Sequence, residues 1–87
     1  MERVYHVFFV EENEDAIKRM KDAIARDGWW ELDTNSYLVR TAMTSQKLAE
    51  TVGIKGEDRI VSGVVFRLNH IYSGYYDKGL WEWLATE

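Results

Sequence analysis

Residues 3–68 pass twice through an extended segment, a helical segment and another extended segment, and that order leaves few ways to fold. Residues 3–10 alternate, with Val4, His6, Phe8 and Val10 toward one side and Tyr5, Val7 and Phe9 toward the other. Both sets are largely apolar, so this strand is expected to be central and covered on both faces. Asn13 stands where a helix N-cap belongs, and Ala16, Ile17, Met20, Ala23 and Ile24 follow with helical spacing. Gly28 occupies the place of a C′ glycine that ends this helix. Residues 29–33 and 36–41 read as a strand pair across a Thr34-Asn35 turn. Thr44 caps a second helix that turns Leu48, Ala49 and Val52 inward, and Gly53 closes it. Residues 59–68 form the last strand, with Ile60, Val64, Phe66 and Leu68 on one face.

The order βαββαβ has a known packing solution. Two right-handed βαβ units interleave into a four-stranded antiparallel sheet with both helices on one face. The expectation is therefore an α+β, ferredoxin-like domain spanning residues 1–87. Its first and third strands would be central and its second and fourth at the edges. A last strand that is apolar on both sides is then in need of cover. Length permits one domain, and 46% hydrophobic residues supply its core. The absence of cysteine excludes disulfides, thiolate zinc sites and cysteine nucleophiles. The start lacks the pattern of a secretory signal, and no apolar run could span a bilayer, so a cytoplasmic location is expected. A net charge of −4 argues against a general affinity for nucleic acid.

Residues 69–87 are the unusual part. Tyr72, Tyr75, Tyr76, Trp81 and Trp83 crowd together with Ile71, Leu80 and Leu84. Each large ring buries ~150–250 Å² when covered. Left in water, such a segment would exceed the apolar patch that monomers normally carry. This aromatic C-terminal extension is expected to pack on the open sheet face, in its own subunit or in a partner. The residues that would form the interface are Phe66, Tyr75, Tyr76, Trp81, Trp83 and Leu84.

The opening strand, Trp29-Trp30-Glu31-Leu32-Asp33, the strand ending in Arg40-Thr41, Asp58-Arg59-Ile60-Val61, Gly74-Tyr75 and the closing Trp81-Glu82-Trp83-Leu84 occur together in order. In these features the chain resembles a group of small bacterial and phage proteins labelled SinR. That group is distantly similar to the small CRISPR adaptation endoribonuclease and to VapD-type toxins. The resemblance implies a ferredoxin-like fold and a homodimer whose sheets pack face to face. In the nucleases of that wider group an aspartate ends the first strand and binds a divalent metal at the dimer axis. Here that position holds Val10, and the nearest carboxylates are Glu11 and Glu12.

Three functional readings follow. The first is a non-catalytic homodimeric interaction or regulatory module, which needs no cofactor. The second is a metal-dependent, toxin-like endoribonuclease in which Glu11 and Glu12 hold Mg²⁺ and carry the catalysis. The third is a small acidic phage inhibitor of a host defence protein. The acidic run Glu11, Glu12, Glu14 and Asp15 is equally what a helix start attracts. His6 and His70 are candidate bases or metal ligands, and His6 equally suits a sheet face or a dimer interface. Trp29 and Trp30 could stack nucleobases, although on a strand they point to opposite faces. Arg3, Arg40, Arg59 and Arg67 could form a phosphate-contacting stripe, or simply blunt strand edges.

Overall fold

The computed structural model describes residues 1–69, 73–74 and 78–85. It contains β1 (Arg3–Phe9), α1 (Glu14–Ala23), a 3-10 turn (Arg26–Gly28), β2 (Trp29–Asp33), β3 (Ser36–Thr41), α2 (Ser45–Val52), β4 (Gly63–Arg67) and α3 (Lys78–Ala85). The four strands make one antiparallel sheet in the order β2-β3-β1-β4. This is the expected ferredoxin-like arrangement, with β1 and β3 inside and β2 and β4 at the edges.

The caps form as their residue types dictate. The Asn13 side chain accepts the Ala16 N–H at 2.9 Å, and the Thr44 hydroxyl accepts the Lys47 N–H at 3.1 Å. Gly53 takes the left-handed conformation (φ 89°) that lets its N–H return to α2 carbonyls. Gly28 does not end α1, contrary to expectation. The helix stops at Ala23, Ile24 is already extended, and Gly28 closes the following 3-10 turn. A side chain at Gly28 would press on Ile24 and on the Arg40 carbonyl.

Alternation along the strands builds two layers of contact. Tyr5, Val7 and Phe9 of β1 and Tyr37 and Val39 of β3 face α1 and α2, where they meet Ala16, Met20, Ile24, Leu48 and Val52. The opposite face carries Val4 and Leu38, and α3 lies there, burying Leu80 and Leu84 against them. Trp30, Leu32, Leu68, Trp81 and Trp83 surround that second cluster.

Two further expectations are corrected. The last strand begins at Gly63, not at residue 59, because the N–H groups of Ile60 and Val61 are held by the Gly53 carbonyl at 2.8 and 3.2 Å. β1 is covered on both faces only near Val4. Toward its other end Phe8 is 37% and Val10 60% exposed on the α3 side.

Candidate interaction surface

The half of the sheet that α3 leaves open has one chemical character. Phe8 and Val10 follow His6 on one face of β1, and Val64 and Phe66 lie beside them on β4. The pairing His6↔Phe66 and Phe8↔Val64 places them side by side. Val64 is 42% and Phe66 57% exposed. A polar strand face would normally meet water here. This one offers an apolar strip without a formal charge.

His6 sits in the middle of the strip. Its ring stacks on Phe66 with centroids 6.3 Å apart and tilts against Phe8 at 6.5 Å. Nε2 lies 2.7 Å from the Ser36 hydroxyl oxygen, a hydrogen bond whose direction follows the ring's tautomer. Burial pushes the imidazole below its ordinary pKa, so the neutral form is favoured.

The strip ends at an open strand edge. Val10 donates to the Ser62 carbonyl and Leu68 to the Val4 carbonyl, so residues 62, 64, 66 and 68 direct their backbone groups at β1. The N–H and C=O groups of Gly63, Val65 and Arg67 therefore point away from the sheet. Among the described residues none pairs with that edge.

The other candidates fall elsewhere. Glu11 and Glu12 are exposed in the loop after β1, and Glu14 and Asp15 occupy the first turn of α1. Among the described residues no three carboxylates or imidazoles gather as a metal site. Glu12 instead lines a groove of about 510 Å³ with Glu14, Lys18, Lys21, Glu31 and Tyr37, where the charges are of mixed sign. Burial there, then Glu31 and Glu12, pushes the Tyr37 phenol up to about 12. Trp29 and Trp30 do point to opposite faces. Trp29 carries the Arg26 guanidinium 4.3 Å and the Lys21 amine 4.8 Å from its ring, while Trp30 meets Trp83 at 6.4 Å.

The arginines do not form a stripe. Arg59 precedes β4, and alternation puts Arg40 on the face opposite Arg3 and Arg67. Arg40 donates to the Trp83 carbonyl at 2.7 Å and lies over the Trp83 ring. Trp83 Nε1 donates to the Asp27 carbonyl at 2.9 Å. Trp83 and Leu84 thus pack on this chain's own sheet, and Trp81 borders the same cluster. Among the described members of the expected interface, Phe66 is the exposed one. Tyr75, Tyr76 and His70 lie outside the described residues. The exposure of Phe8 was missed at the sequence level, because alternation cannot say how far along a strand the cover extends.

No helix among the described residues is long and apolar enough to cross a membrane. The chain matches no family model, no curated protein and no solved structure.

Proposed function

We propose that this protein is a homodimeric interaction module whose contact surface is the open β1/β4 side of the sheet. The carrying observation is the charge-free strip of Phe8, Val64 and Phe66 around the neutral His6. Each chain bears a net charge of −4, so two copies meet with least repulsion where neither presents charge. A second copy supplies the same neutral apolar surface, and a two-fold axis can bring the two strips together.

The strip is a modest one. Apolar patches of roughly 300–600 Å² are the largest on ordinary monomers and are often functional. A contact built on it belongs at the low end of interface sizes, below about 1,200 Å² in total, which fits a reversible association. A dissociation constant of order ~1–100 μM is expected.

Sedimentation equilibrium tests this. The wild-type mass should rise from that of one 10.2 kDa chain toward twice that value with concentration. Phe66→Glu should stay monomeric with an unchanged circular dichroism spectrum, since Phe66 is largely in solvent already. A wild type that remains monomeric throughout refutes the reading.

A further inference from the structure

We infer that the two copies join edge to edge, β4 against β4, with the two-fold axis passing between their Val65 residues. The inference rests on the homodimer reading and specifies its geometry.

The two edges of the sheet are unlike. β2 presents Glu31 and Asp33 and has a register irregularity between them, which are devices that discourage pairing. β4 has no proline and no bulge, and its one charge, Arg67, is at its end. Its outward N–H and C=O groups belong to Gly63, Val65 and Arg67, spaced for one antiparallel partner.

A second β4 fits that edge by symmetry. With Val65 opposite Val65 of the second copy, Gly63 falls opposite the other Arg67 and Arg67 opposite the other Gly63. Each of these pairs can exchange two backbone hydrogen bonds. The alternate positions set Val64 against Phe66 of the second copy, and Phe66 against its Val64. Those are the closely spaced side-chain pairs of an antiparallel ladder, and they lie on the exposed face. The register places no two like charges opposite each other. Each arginine meets a glycine, so its long side chain has room. The result is a continuous eight-stranded sheet, in which the two apolar strips merge between the two α3 helices.

Amide hydrogen exchange on the wild type tests the geometry. At dimer-forming concentration the amides of Gly63, Val65 and Arg67 should exchange about tenfold or more slowly than in dilute solution. Those of Val64 and Phe66, bonded to β1, should be protected in both conditions. A dimer in which the first three gain no protection overturns the edge-to-edge geometry while leaving the homodimer reading standing, and a face-to-face pair gives that result. Absence of any dimer removes both. Val65→Pro is an independent check. The lost N–H points outward, so proline removes no hydrogen bond within one chain and is placed as edge strands tolerate it. It should abolish association in a chain that still folds. A folded Val65→Pro chain that dimerises like the wild type also overturns the geometry.

Discussion

Gly63 and His6 show how single positions set up this surface. A Cβ at Gly63 would overlap the Phe8 carbonyl oxygen, with Ile54 pressing from the other side. Backbone atoms cannot step aside as a side-chain tip can, so Gly63→Ala should cost about 2–3 kcal/mol and loosen the β1–β4 ladder, read by chemical denaturation. His6 couples the strip to pH. Its neighbours are uncharged: Val4 and Phe8 on β1, Ser36 and Leu38 on β3, Val64 and Phe66 on β4. Arg40, on the same face of β3, is engaged with Trp83, Arg67 belongs to the other face, and on α3 Lys78 and Glu82 lie 4.0 Å from each other. Burial lowers the folded-state pKa below the ordinary 6.5, so the unfolded chain takes up the proton first as pH falls. The contribution is therefore complete above about pH 6.5 and is lost as pH drops through the folded-state value. Wild-type stability should decline as pH falls below about 6.5, and His6→Gln should flatten that slope. Local chemistry made the caps legible from sequence, since Asn13, Thr44 and Gly53 each act on backbone within a few residues. Gly28 misled because the chain leaves α1 at Ile24, which is already extended and buried in the core.

At the scale of elements, α3 decides which part of the sheet remains open. Its Leu80 and Leu84 are one turn apart and bury together over Val4 and Leu38. The Trp83 side chain and carbonyl then tie the helix to the 3-10 turn and to β3. Trp83→Ala removes the ring beneath Arg40 and the bond to Asp27, and should lower stability by about 3 kcal/mol in thermal or chemical unfolding. The same change leaves the β4 edge untouched, so association at concentrations where the variant is folded should persist. Loss of association without loss of stability would place Trp83 in the dimer contact instead. The need of the aromatic tail for cover was legible from its ring content. That α3 takes its cover from this chain's own sheet was not, because bulk hydrophobicity specifies no partner. The start of β4 was equally hidden, since the apolar run of Ile60 and Val61 reads as strand while its backbone is taken by Gly53.

For the whole molecule, strand order and helix placement followed from alternation and the βαββαβ sequence, and the sheet order β2-β3-β1-β4 agrees. The open surface was only partly legible. Phe66 was named because a last strand apolar on both faces needs cover, while the exposure of Phe8 and Val64 and the openness of the β4 edge depend on what the third dimension leaves uncovered around them. The uncovered side is where two copies are proposed to meet. A dilution series of heteronuclear NMR spectra tests it most directly. Shifts should move with concentration at His6, Phe8 and residues 63–67, while the outer faces of α1 and α2, such as Asp22 and Glu50, stay still. Shifts that do not change with concentration, or that change only on the helical face, would contradict it.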